Sequence, residues 1–145
     1  MKVSSLLSSK DKNVITIKSK KTIVEAAKLM EENKIGALLV TDDKKKLKGI
    51  ITERDILKEC SQNYKNFESR MVSDAMINYI YTGTPEDEIA SVFDVMTKNN
   101  IRHLPIIKND EIVGILSMRD IFNAKLDSCE FEKNNLENYI KGVNY

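Results

Sequence analysis

The sequence predicts an α/β (α+β) fold in which one structural unit is written twice. Three observations carry this reading. First, Gly49-Ile50-Ile51-Thr52, followed by Glu53-Arg54-Asp55, recurs sixty-five positions later as Gly114-Ile115-Leu116-Ser117, followed by Met118-Arg119-Asp120. Second, Asn33-Lys34-Ile35-Gly36-Ala37-Leu38-Leu39-Val40 aligns with Asn99-Asn100-Ile101-Arg102-His103-Leu104-Pro105-Ile106. Third, Ile23, Ala26, Ala27 and Met30 align with Ile89, Val92, Phe93 and Met96, and both sets carry the i, i+3, i+4, i+7 spacing of a helix face. A duplicated unit must match in hydrophobic phase as well as in letters, and this one does.

Each element of the unit has a local signal. The first copy is expected to open with a strand from Asn13 to Ile17, matched by Tyr79 to Thr82 in the second. A helix from Thr22 to Lys34 follows, because Thr22 with Glu25 three residues on is the capping-box pattern. The apolar run Ala37 to Thr41 predicts a strand, Asp42-Asp43-Lys44-Lys45-Lys46 a polar turn, and Leu47 to Thr52 a second strand. A helix from Glu53 to Gln62 closes the copy. The second copy repeats this as a helix from Pro85 to Asn100, strands from His103 to Lys108 and Ile112 to Ser117, and a helix from Met118. Pro85 fits the preference for proline in a first helical turn. The order is βαββα, twice.

Composition bounds the function. The chain has 145 residues, 41% of them hydrophobic, with 23 basic and 22 acidic side chains and a net charge of +1. A copy of about 60 residues is marginal alone, so the two are expected to fold against each other. Near-neutral charge gives no electrostatic reason to bind nucleic acid. With no apolar leader and no run long enough to span a bilayer, a cytoplasmic protein without membrane contact is expected. Cys60 and Cys129 form no CxxC pair, so neither a disulfide framework nor a metal site is expected.

The chemistry concentrates at the two Gly-Ile-(Ile/Leu)-(Thr/Ser)-x-Arg-Asp stretches. A strand ends in Thr52 or Ser117 and a helix starts at once, which predicts first-turn N–H groups suited to an anion. The hydroxyls of Thr52 and Ser117 and the guanidinium groups of Arg54 and Arg119 add phosphate donors. Asp55 and Asp120 each supply a carboxylate able to accept both hydroxyls of a vicinal diol, as an acidic residue does on ribose. Phosphate donors beside a diol acceptor suggest a nucleotide. The same residues also read as a capping box, with Ser or Thr at the N-cap and Asp three positions later.

With both stretches in phase and flanked by matching elements, the chain resembles a tandem pair of cystathionine beta-synthase (CBS) domains, as found in the gamma subunit of AMP-activated protein kinase. The resemblance implies two βαββα units related by pseudo-two-fold symmetry, with small mixed sheets packed with helices. It places the first domain at 1–66, the second at 67–128 and a C-terminal helical extension at 129–145. It also implies a ligand in each cleft between the copies. One cleft would combine Ser117, Arg119 and Asp120 with Thr16 and Ile35-Gly36; the other, Thr52, Arg54 and Asp55 with Thr82 and Ile101-Arg102. In the kinase subunit a His-Arg pair before Leu-Pro contacts phosphates, and here Arg102-His103 precedes Leu104-Pro105 in reversed order. The first copy carries Gly36-Ala37 there, so the clefts are expected to be unequal.

The expected function is regulatory, with no catalytic residue, no metal and no required cofactor. The regulatory ligand would be an adenosine compound: AMP, ADP, ATP or S-adenosylmethionine. A dimeric interaction scaffold without ligand, docking on a target enzyme or transporter, is the alternative. His103 is the single histidine, and no nucleophile elbow surrounds Ser117, so hydrolysis ranks last. Ile56, Leu57, Ile121 and Phe122 on the helices after each stretch suggest a homodimer surface, and Phe131, Leu136, Tyr139 and Ile140 a further helix beyond the repeat.

Overall fold

Regular elements alternate as the apolar periodicity requires. In the computed structural model, which describes residues 1–10 and 13–141, they run α1 (Val3–Ser8), β1 (Thr16–Lys18), α2 (Ile23–Asn33), β2 (Ala37–Thr41), β3 (Leu47–Thr52) and α3 (Glu53–Gln62). A 3-10 stretch (Tyr64–Ser69), α4 (Val72–Ala75), α5 (Ile89–Lys98), β4 (His103–Lys108), β5 (Glu111–Ser117) and α6 (Met118–Lys141) complete the order. Positions 142–145 of the expected C-terminal extension lie outside the described residues.

Local signals place most boundaries. Thr22 caps α2 through a capping box: the Glu25 N–H donates to Thr22 Oγ1 at 3.1 Å and the Thr22 N–H to Glu25 Oε2 at 2.8 Å. That helix ends on Lys34 at φ 53°, and α5 ends just before Asn100 at φ 52°, so both copies turn into their next strand through a left-handed residue. β2 pairs parallel with β1 and antiparallel with β3, while β4 and β5 form a two-stranded antiparallel sheet. Both hairpins slip register at the same place, between Val40 and Thr41 and between Ile106 and Ile107. These coincidences mark an approximate two-fold relation between the copies.

Two expectations about the second copy are corrected. Tyr79 to Thr82 forms no strand, because its ends are pinned to different sheets. Ile77 exchanges backbone bonds with Ile50 of the first copy, at 2.9 and 2.8 Å. Gly83 bridges Pro105 and Ile107 of the second, both at 2.9 Å, so the segment between crosses from one sheet to the other. Pro85 does not open α5, which starts at Ile89. The Asp87 carboxylate instead accepts the Thr84 N–H at 2.7 Å and holds a turn ahead of the helix.

Three apolar clusters hold the molecule together. Ile17, Ala26, Met30, Leu38, Val40, Ile51 and Val72 form the core of the first copy. Ile89, Val92, Met96, Leu104, Ile106, Leu116, Ile121 and Ala124 form the second, joined by Val3 and Leu6. Ala37, Leu39 and Ile50 lie between the two sheets with Val14, Ile112 and Ile115. This explains the unbroken apolar run of β2, all five of whose residues are buried: alternate side chains enter the first core and the central interface.

The copies exchange their leading helices. α1 precedes the first copy in sequence but packs Val3 and Leu6 into the core of the second, held by Val3 N–H to Asp87 O at 2.9 Å and Ile89 N–H to Met1 O at 3.0 Å. α4 precedes the second copy and packs Val72 into the first, through Val72 N–H to Lys21 O at 2.8 Å and Ile23 N–H to Arg70 O at 3.0 Å. Arg70 is anchored to α3 by a two-pronged ion pair with the buried Glu59, at 2.8 and 3.1 Å. The exchange also accounts for the glycine that opens each stretch. A Cβ on Gly49 would lie 2.8 Å from Met76 Sδ, and one on Gly114 would lie 2.7 Å from Leu7 Cδ2.

Of the expected dimer surface, Ile56 and Ile121 are taken by the two cores, leaving Leu57 and Phe122 exposed. α6 continues without a break to Lys141 and exposes Leu126, Phe131, Leu136, Tyr139 and Ile140.

Candidate functional site

Both stretches fold as capping boxes. Thr52 donates to Asp55 Oδ2 from its N–H (2.8 Å) and its hydroxyl (2.9 Å), and its Oγ1 accepts the Asp55 N–H at 3.4 Å. Ser117 does the same with Asp120, at 2.7, 2.9 and 3.2 Å. The first helical N–H is also occupied: Glu53 donates to Gly36 O at 3.1 Å and Met118 to Arg102 O at 2.8 Å. The expectation of open first-turn N–H groups narrows accordingly to those of Arg54 and Arg119, which meet no protein acceptor among the described residues. Every hydrogen bond on the two aspartates falls on Oδ2. Their Oδ1 atoms receive no donor among the described residues and stay free to accept a ligand hydroxyl.

Two clefts open between the copies, back to back across shared walls of Gly36, Glu53, Arg102 and His103. The cleft with Asp55 has a volume of about 160 Å³ and is narrowed by Ile50, Ile77, Ile101 and the edge-to-face pair Tyr79 and Tyr81. The cleft with Asp120 has about 500 Å³ and is lined by four cations: Lys10, Lys34, Arg102 and Arg119. Small-molecule sites occupy about 300–1,000 Å³, so only the second has room for a whole nucleotide as it stands.

Inside the larger cleft Lys10 is paired with Asp120, which leaves the site with an excess of positive charge. The Lys10 ammonium donates to Asp120 Oδ2 at 2.5 Å and to the Ile115 carbonyl at 3.0 Å. Burial works to raise the Asp120 pKa, but Lys10 and the two Ser117 donors outweigh it and hold the carboxyl below the usual range. Burial pushes the His103 imidazolium down, against the opposing pull of Glu53 and Asp120. His103 is therefore a neutral wall at pH 7.

The structure brings Ile35, Gly36, Arg102, His103, Ser117, Arg119 and Asp120 together in the larger cleft, and Thr52, Arg54, Asp55, Ile101, Arg102 and His103 in the smaller. Thr16 and Thr82 line neither. Thr16 is exposed and lines a separate groove beside α2; side chains alternate along an extended segment, and Asn13 and Ile15 face the cleft instead. Tyr79 and Tyr81 take the corresponding place near Thr82. Sequence reasoning missed Lys10, Lys34 and Glu53. Lys34 and Glu53 sit within or beside segments singled out on other grounds. Lys10 had no local signal, because only the exchange of α1 carries it to a carboxylate 110 residues away. Among the described residues no group of three His, Cys, Asp or Glu is placed to hold a metal ion, and no helix is long and apolar enough to cross a membrane.

A family model described as the CBS domain matches residues 3–62 and 72–127. A 17.7 kDa protein of Acidianus ambivalens, itself uncharacterized, is 38% identical over 143 residues, covering 98% of this chain and 84% of that protein. The CBS-domain containing protein ATU1752 from Agrobacterium tumefaciens superposes with a TM-score of 0.83 at 31% identity, over 86% of this chain and 99% of that one. The CBS domain pair of protein MJ0100, solved in complex with 5′-methylthioadenosine and S-adenosyl-L-methionine, superposes at 0.80 with 29% identity, over 88% and 98%.

Proposed function

The chain belongs to the CBS-domain family as a tandem pair, and from that premise we propose that it is a regulatory protein, not an enzyme, which senses an adenosine compound in the cleft holding Asp120. One observation carries the reading. A hollow of about 500 Å³ between the copies presents an open carboxylate oxygen, Asp120 Oδ1, beside the cations Arg102 and Arg119. A ribose diol fits the carboxylate, a 5′ phosphate fits the cations, and Ile35 and Ile115 offer apolar surface to a base. The solved MJ0100 pair, which holds two adenosine compounds, supports the same ligand class. AMP, ADP and ATP meet all three requirements, and S-adenosylmethionine, which has no phosphate, meets those of the ribose and the base.

The signal follows from where the ligand sits. A molecule gripped by Ile35 and Gly36 of one copy and by Ser117, Arg119 and Asp120 of the other favours one relative orientation of the copies, and that differential affinity is available to a partner. The apolar exposure of Leu57, Phe122 and the outer half of α6 favours a homodimer that presents this change to a target enzyme or transporter.

The test is a thermal-shift series with AMP, ADP, ATP, S-adenosylmethionine and a GMP control, followed by titration calorimetry. A ligand of the folded state raises the melting temperature in step with RT ln(1 + [L]/Kd). Adenosine compounds are expected to shift the wild type but not Asp120→Asn, whose amide keeps an acceptor for the Ser117 donors and so preserves the cap. Absence of any shift in a well-folded dimer would favour the scaffold reading, in which the two capping boxes are structural and the surface of α6 does the work.

A further inference from the structure

Lys10 distinguishes the two clefts more sharply than any other side chain. Asp55 and Asp120 occupy equivalent positions and make equivalent bonds to Thr52 and Ser117. Asp120 alone also carries an ammonium, at 2.5 Å, on the oxygen that already accepts both Ser117 donors. That ammonium arrives from the exchanged leading segment of the first copy: it follows α1, whose Val3 and Leu6 are locked into the core of the second copy. It is tethered a second time by the Ile115 carbonyl at 3.0 Å. Lys10 thus occupies Oδ2 of the carboxylate on which the proposed ligand places its ribose, and leaves Oδ1 open.

We infer that Lys10 is a specificity-determining residue that reserves the Asp120 cleft for ligands with an anionic 5′ group. This rests on the adenosine-binding reading and narrows it. One hydroxyl of a ribose diol takes the open Oδ1, and the other competes with the ammonium for Oδ2. A second hollow of about 360 Å³, lined by Lys10, Asn13, Ile35 and Gly114, adjoins the cleft and gives the side chain room to move. The outcome depends on what the ligand offers in exchange. A phosphate takes the ammonium that the carboxylate gives up, so one charge-assisted hydrogen bond replaces another. A neutral thioether gives it nothing. A sulfonium adds a positive charge to a site that already holds Lys34, Arg102 and Arg119. The Asp55 carboxylate, held in the same capping geometry, carries no such cation among the described residues.

Titration calorimetry of AMP and 5′-methylthioadenosine against wild type, Lys10→Met and Lys10→Arg tests this, with urea midpoints confirming that each variant is folded. A hydrogen bond to a charged group corresponds to roughly a 10- to 100-fold change in affinity, which sets the scale of the effect. The wild type is expected to prefer AMP. In Lys10→Met the preference should shrink by about 10- to 100-fold, with AMP weakened and 5′-methylthioadenosine tightened, while Lys10→Arg retains it. A purely structural lysine would move both ligands together and leave their ratio alone. Binding of both ligands with an unchanged ratio in Lys10→Met overturns this inference and leaves the adenosine reading standing. Binding of neither ligand to wild type or Lys10→Met overturns the adenosine reading, and this inference with it.

Discussion

Val3→Ala perturbs the first part of the chain but should be felt in the core of the second copy. Val3 is fully buried there, against residues such as Ile89 and Leu104. The substitution removes two methyl groups, about 1.6 kcal/mol of transfer free energy at about 0.8 kcal/mol each. A residual cavity of about 40 Å³ adds about 1 kcal/mol at about 24 cal/mol per Å³, for a total near 2.6 kcal/mol. Val72→Ala, equally buried in the first copy, should cost the same for the same reason. At about 3 °C per kcal/mol for a chain of this size, each melting temperature should fall by about 8 °C. Urea unfolding with linear extrapolation measures the loss directly, and a constant slope m confirms that native stability is what changed. A Val3→Ala variant within about 0.5 kcal/mol of wild type, the range of surface substitutions, would refute the exchanged packing.

Two further outcomes follow from distances and burial already described. Gly49→Ala should lose about 1–3 kcal/mol in the same urea assay, because its Cβ meets both Met76 Sδ at 2.8 Å and the Ile77 carbonyl at 3.0 Å. Gly114→Ala should lose less, since the atoms it meets are the end of the Leu7 side chain, which can rotate away. Stability should also depend on pH through His103, whose folded pKa is lowered from 6.5, chiefly by burial. Below about pH 6.5 the unfolded chain takes up the proton first, so stability falls as pH drops through the folded value. His103→Asn should flatten that slope in unfolding curves measured between pH 5 and 7.

What the sequence made legible is what short-range chemistry determines. Thr22 with Glu25, Thr52 with Asp55 and Ser117 with Asp120 each announce a helix start within four residues, and all three form as expected. The β2 and β4 strands are equally readable from their apolar runs, and the repeat itself makes each copy evidence for the other. Long-range pairing was not legible. Tyr79 to Thr82 looks like a strand by analogy with Asn13 to Ile17, yet its path is set by Ile50 on one side and Pro105 on the other. Ile56 and Ile121 look like surface when a helix is read alone, and only the packing of α3 and α6 on their sheets turns them inward. At the site, the aspartates and arginines stood out by motif, while Lys10 depended on a helix whose destination no local pattern specifies.

The exchange of α1 and α4 makes this a closed circuit and not two beads on a string. Each half lends a helix and borrows one, so neither has a complete core without the other's leading segment. A single unit, cut free and expressed alone, would display an empty socket and an unhoused helix, complementary in shape. Two such units satisfy each other by reciprocal trade, in the geometry of a domain-swapped pair. The link between the copies does not create that partnership; it turns an association that depends on concentration into one that is always local.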